Sequence, residues 1–409
     1  MDGNRRLSAA AALTSVAAVL GNDDLLREIL LRLGFPTCLV RAALVSKRWL
    51  HHASEPAFLR RFRERNPPRI LGVFASYPET PYKFLPLPQP PELAALSRRV
   101  ASTCNDAFAA HIYQWVEHCR NSRLINVFFQ DGTFMHSLLA PLHAGESEAV
   151  LAQVPLPRRL LRARTQGLFS QTFLPEDGGR DGITLVTLWK VRREVRAEVR
   201  VLGSGGWGVP TTAVTEVDLP YAETSFIKML PPMHGKVFMV TGFGYTLGLD
   251  LARASFFTLE LPPVGVRSNY LLSCAEGSGI YLVSANGFQL SVWLHPMTGD
   301  DNDAGWLLVD TFCVRKAYAR SAGHDWVWMA QDGDFLGVAA VGDNAEFVIL
   351  DYPRYGVVLY VHLRSRVVEK LYEHQALLDH CFYDIPISPF MMIWPPVFPA
   401  LKGGHDQEQ

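Results

Sequence analysis

Between Leu124 and Leu371 this 409-residue sequence repeats one plan: an apolar run, a turn, a second run, and a third run that ends in polar residues. The repeats begin near Leu124, Ile183, Val237, Ile280 and Phe335, at intervals of roughly 43 to 59 residues. Lys236–Val240, Tyr245–Asp250 and Ser255–Leu261, followed by Pro262-Pro263, show the plan most clearly. Phe347–Asp351, Val357–His362 and Val367–Leu371 copy it. Short runs rich in Val, Phe, Tyr, Leu and Thr between Gly, Pro and Asp turns read as strands. A strand unit of this size cannot bury both its faces alone, so repeated copies must stack on one another.

The period fits one four-stranded blade of a β-propeller. We therefore expect a large all-β, propeller-like domain over residues 111–400. No kelch glycine pair or Trp-Asp signature recurs at fixed offsets, which leaves the blade number, and another all-β fold, open at this point. The apolar stretch Pro389–Pro396 is placed to pair with an early strand and close the ring.

Ahead of this region the periodicity is helical. Asn22 is a good N-cap, and Asp23, Asp24 and Glu28 lie in the first turns, where the helix dipole favours anions. Leu25, Ile29 and Leu33 recur every four residues, with Leu26 and Leu30 one step around. Gly34 and Pro36 end this helix. Thr37 is the expected cap of a second, which carries Val40, Ala43 and Leu44 and closes on Trp49. Pro56 opens a third, with Phe58, Leu59 and Phe62 on its apolar side. A three-helix module over 20–66 follows, ended by Asn66-Pro67-Pro68. Its leucine stripe is wider than one small core needs. Periodicity alone leaves two readings: a docking surface for a partner, or a cap packed on the chain's own β-domain.

The whole reads as an α+β multidomain chain. Residues 1–19 form a flexible leader: Arg5-Arg6 and the apolar stretch behind them outline a short signal peptide, but Ser8, Thr14 and Ser15 interrupt it. Residues 67–110 are a connector in which a strand over Ile70–Phe74 precedes Pro78, Pro81, Pro86, Pro88, Pro90 and Pro91. Residues 401–409 are a polar tail.

With 48% hydrophobic and 19% charged residues the chain should fold, and a net charge of −1 supplies no field for nucleic acid or anionic lipid. No run of apolar residues is long enough for a membrane span. Six scattered cysteines without C-x-x-C spacing suit a reducing compartment, not a disulfide framework or zinc site. The basic run of Lys47, Arg48, Arg60, Arg61, Arg63, Arg65 and Arg69 reads as a solvated helix face, since no stacking platform accompanies it. Gly242, Gly244 and Gly248 are spaced for a hairpin turn, not a dinucleotide loop. Ser204 and Ser278 lack a nucleophile elbow, and Asp300–Asp303 lacks the twelfth-position calcium ligand. His374 and His380 lack metalloprotease spacing. No catalytic residues, metal or cofactor are therefore expected. Trp293, Trp306, Trp326, Trp328, Trp394, Tyr245, Tyr281 and Tyr355 are core residues, a few of them able to anchor an interface.

The order Leu20, Asp23, Leu25, Leu26, Ile29, Leu30, Leu33, then Val45, Ser46, Lys47 and Trp49 resembles the F-box family. It departs at Gly21, where that family usually has Pro. An F-box ahead of a Pro-punctuated, β-rich region looks like many plant F-box proteins. The resemblance implies docking on a Skp-type adaptor, and through it a cullin, in an SCF-type ubiquitin ligase. It makes Leu20, Leu25, Leu26, Ile29, Leu30, Leu33, Val45, Lys47 and Trp49 the adaptor-binding residues. The β-domain would hold an unknown target protein, at residues the sequence does not name. Catalysis would come from proximity, so the chain itself would be no enzyme. The alternative is a non-catalytic scaffold that binds a partner without promoting ubiquitination. Either fits a cytoplasmic and/or nuclear protein.

Overall fold

The computed structural model describes residues 19–66, 69–77, 80–109, 114–120, 122–130, 133–142, 149–151, 169–175, 183–191, 194–203, 206–216, 228–241, 244–262, 269–297, 305–321, 335–373 and 387–398. The leader, the acidic loop at 300–303, His374, His380 and the polar tail lie outside these. The chain forms two compact units: Met1–Leu71 with Met391–Gln409, and Gly72–Phe390.

Among its described residues the first unit includes four short helices, α1 (Asp23–Leu31), α2 (Pro36–Ala43), α3 (Lys47–Ser54) and α4 (Pro56–Arg65). Four replace the three expected because the second segment breaks at Leu44-Val45. Ser46 then caps a new helix, its hydroxyl accepting from Trp49 N–H. Asn22 caps α1 as expected, accepting from the backbone of Asp24 and Leu25 at 3.0 and 3.1 Å. Thr37 is not a cap: Phe35 holds that position, with Pro36 in the first turn, where its missing N–H costs nothing. The core is Leu26, Leu30, Leu31, Leu39, Ala43, Ala53, Phe58 and Phe62, with Trp394 and Phe398 packed against it. Trp394 stacks on Phe62 with ring centroids 6.1 Å apart, and the Arg63 guanidinium lies 5.9 Å from the centre of the Trp394 ring.

The second unit is built from antiparallel sheets. Strands β1 (Ile70–Tyr77), β2 (Thr80–Pro86) and β24 (Ile387–Met391) form one sheet in the order β2-β1-β24. An early strand thus pairs with the last one, as the apolar Pro389 stretch suggests. Among the described residues five further sheets follow in chain order. They are β3 (Gln114–Arg120) to β6 (Ala149–Leu151), β7 (Phe169–Pro175) to β11 (Thr211–Glu216), and β12 (Lys228–Met229) to β15 (Ser255–Glu260). The last two are β16 (Tyr270–Cys274) to β19 (Leu307–Cys313) and β20 (Gly337–Val341) to β23 (Val367–Glu373). Strands β4 (Arg123–Gln130), β8 (Ile183–Val191), β13 (Lys236–Val240) and β17 (Ile280–Asn286) start at or beside four of the repeat starts. Each is the second strand of its sheet, covered on both faces and so the most continuously apolar.

Neighbouring sheets share cores. Ile125 meets Phe173, Ile183 and Leu185; Val186, Leu188 and Val195 meet Val237, Met239 and Leu249. Phe238 and Val240 meet Tyr270, Leu272 and Ile280; Val283, Leu290 and Val292 meet Val348, Leu350 and Leu359. The segment read as an extended connector instead contains the 19-residue helix α5 (Pro91–Ala109). Its buried residues Leu93, Ser97, Val100, Cys104 and Phe108 form one stripe. Phe108 packs on Phe74, and Phe74 on Phe84 and Phe390. A further helix, α6 (Val314–Ser321), follows β19 and buries Val314, Ala317 and Tyr318.

Candidate docking surface of the helical module

The wide stripe of α1 divides into two faces. Leu26 and Leu30 are fully buried in the module's own core, with Leu31 beside them. These two residues were expected to grip a partner and do not face outward; the reason is that one small core needs that half of the stripe. Leu25 and Ile29, one turn apart on the other side, are 46% and 36% exposed. Val45 is 65% exposed and Lys47, the first residue of α3, is also exposed. Leu20, Leu33 and Trp49 are half-buried, the last two packed against the core. Sequence reasoning missed Leu44, which is 61% exposed. The signal was Ser46: as an N-cap it places Leu44 and Val45 between two helices, where neither can reach the core.

Polar contacts lock α1 to α3 behind these apolar groups. Arg48 donates to Asp23 Oδ1 from Nε at 2.8 Å and from a terminal nitrogen at 2.5 Å. It also donates to the carbonyls of Leu20 and Gly21 at 2.6 and 2.8 Å. The chain at Gly21 is thus held by Arg48, with no proline there. Arg27 Nε donates to His52 Nδ1 at 3.3 Å, so Nδ1 is the acceptor and Nε2–H donates to Asp23 Oδ1 at 2.9 Å. Arg27 also reaches Glu55 at 2.6 Å. The Arg48 and His52 hydrogen bonds hold the Asp23 carboxyl below its ordinary value. Part of the basic run is spent inside the module: Arg48 here, Arg65 on Glu28, and Arg69 over the Phe35 ring.

In the β-unit, Cys274 Sγ lies 3.2 Å from His234 Nε2. That nitrogen is also 3.0 Å from the Gly279 carbonyl, which only accepts, so Nε2 carries its hydrogen and donates. It is thus not placed to take the thiol proton. Among the described residues no group of three or more His, Cys, Asp or Glu could hold a metal ion. The Gly244 region is a turn between β13 and β14 (Tyr245–Asp250), which pair antiparallel; residues 242 and 243 lie outside the described residues.

Residues 22–61 match the model of the F-box domain, and residues 115–398 match that of the β-propeller of AT5G49610-like F-box proteins. No curated protein matches the chain. Among solved structures it is similar to one from work on two prolyl endopeptidases, with 11% identity and a TM-score of 0.30 over 63% of this chain. It spans 34% of that protein's length. It is also similar to YjhT, with 9% identity and a TM-score of 0.35 over 64% of this chain and 84% of the other. With an F-box ahead of a propeller domain covered over most of the chain, this protein belongs to the plant-type, AT5G49610-like family of F-box β-propeller proteins.

Proposed function

We propose that this protein is the substrate-recognition subunit of an SCF-type ubiquitin ligase, acting in the cytoplasm and/or nucleus. The observation that carries the reading is the apolar surface of a module that already has its own core. Leu25 and Ile29 stay exposed on the nine-residue α1, and Leu44 and Val45 in the break between α2 and α3. A Skp-type adaptor, itself bound to a cullin, would cover them, with Lys47 and Leu20 at the edge of the contact and Leu33 and Trp49 supporting it from the core side. The propeller would hold a target protein. Ubiquitin transfer would then follow from raised effective concentration, with no acid, base or nucleophile from this chain.

Leu25→Ala combined with Val45→Ala is expected to lower capture of purified Skp-type adaptor at least tenfold while leaving the helical circular dichroism unchanged. Undiminished capture by a folded double variant would sink the assignment. A target that accumulates on proteasome inhibition separates ligase subunit from scaffold: a scaffold's partner stays at the same level.

A further inference from the structure

The buried core of the helical module is drawn from α1 to α4, yet two aromatic rings packed on it come from far along the sequence. Trp394 and Phe398 lie in the segment 392–398 behind β24, and that segment belongs to the same compact unit as the helices. The apolar stretch Pro389–Pro396 is thus divided: Pro389, Phe390 and Met391 lie in β24, and the residues after them serve the helices.

The helices need that help. They are eight to ten residues long, and helices so short are marginal in water without tertiary packing. Phe62 of α4 is fully buried, and the Trp394 ring lies against it only 8° from parallel. The segment is tied at its start as well, where Met392 N–H donates to the Arg69 carbonyl at 3.1 Å. α4 is in turn fixed to α1. Asn66 Nδ2 donates to the Leu31 carbonyl at 3.2 Å, and Arg65 pairs with Glu28 at 3.6 Å. α1 carries Leu25 and Ile29, half of the exposed apolar face.

We propose that Trp394 and Phe398 are positioning residues for adaptor docking, so that the docking unit is the helices together with residues 392–398. This rests on the docking reading given above. The stretch 22–61 that matches the F-box is then an incomplete unit, because its core lacks two rings. The adaptor binds modules in which the segment is packed, and its apparent Kd rises in inverse proportion to their fraction.

The test compares the full chain with three variants: Trp394→Ala combined with Phe398→Ala, Trp394→Phe, and Val397→Ala. Capture of purified Skp-type adaptor is measured beside hydrogen exchange of the same preparations. The double variant should weaken capture about tenfold or more, since losing two packed rings depopulates the ordered module. Trp394→Phe keeps a ring on Phe62 and should stay within about twofold of the parent. Val397→Ala, at a side chain 68% exposed, should change nothing. In the double variant, exchange should quicken in α1 and α4 and keep the parent's rate in β13 and β17.

Parental capture by the double variant overturns the proposal. So does an equal loss in Val397→Ala, which would make the segment a direct contact, or an equal loss in Trp394→Phe. Exchange that quickens equally in β13 and β17 marks general unfolding and overturns it too. If the parent itself captures no adaptor, the ligase reading fails instead. The exchange comparison then still decides whether residues 392–398 complete the module: unchanged rates in α1 and α4 would show that they do not.

Discussion

At the scale of single residues, the leucines of α1 show how one periodic stripe serves two purposes. Leu26 and Leu30 have no exposure, Leu25 and Ile29 keep a third to a half of theirs, and the sequence writes all four alike. Leu30→Ala leaves a cavity among Leu39, Ala53 and Phe62, and should cost about 2–5 kcal/mol of module stability. Leu25→Ala should cost under ~0.5 kcal/mol, as an outward side chain away from special features. Chemical denaturation of the full chain, followed by helical circular dichroism, distinguishes them; equal losses would contradict the division of faces. The N-cap at Asn22 was legible because one side chain and two nearby N–H groups decide it. The Arg48–Asp23–His52 contacts were not, because their members lie 25 to 29 residues apart.

At the scale of elements, strands flanked on both sides were the easiest to read. β13, β14 and β15, and later β21 (Phe347–Tyr352), β22 (Val357–His362) and β23, coincide closely with the apolar runs. α5 escaped notice because the prolines before it suggested a connector, yet Pro91 is simply compatible with its first turn. The break between α2 and α3 escaped for the reverse reason: the apolar spacing runs on through Leu44 and Val45, and only the Ser46 cap interrupts it. Within β14, Gly248 sits opposite Phe257, whose ring lies where a Cβ would be. Gly248→Ala must push that ring off Phe238, with which it makes an edge contact at 5.8 Å. The expected cost is about 1–3 kcal/mol, read as a lower melting temperature. A melting temperature equal to the parent's would show that the ring moves freely.

At the scale of the molecule, sheet-to-sheet contacts bury groups that titrate. At the boundary between β3–β6 and β7, desolvation raises Glu117 to about 7 and lowers His136 to about 4. Between about pH 4 and 7 both are therefore mainly neutral, their nearest atoms 3.7 Å apart. A carboxyl raised by folding favours the native state below its unfolded value near 4.5, and that advantage is lost as pH climbs towards 7. His136 acts in the opposite sense, its neutral form favouring the fold above 6.5 and losing that advantage as pH falls towards 4. Glu117→Gln should therefore raise stability relative to the parent at pH 8 but not at pH 4.5, by urea denaturation at both. An advantage independent of pH would place the effect in packing.

Sequence alone determined the module order, the strand plan of the repeats and the resemblance of the helical head, because each is set by neighbours within a few turns or one hairpin. Tertiary structure alone decided which leucines face inward, that Trp394 joins the core of the helical module, and that Glu117 and His136 are buried at a boundary between sheets. Those outcomes depend on burial between distant segments, and periodicity records that a face is apolar without recording what covers it.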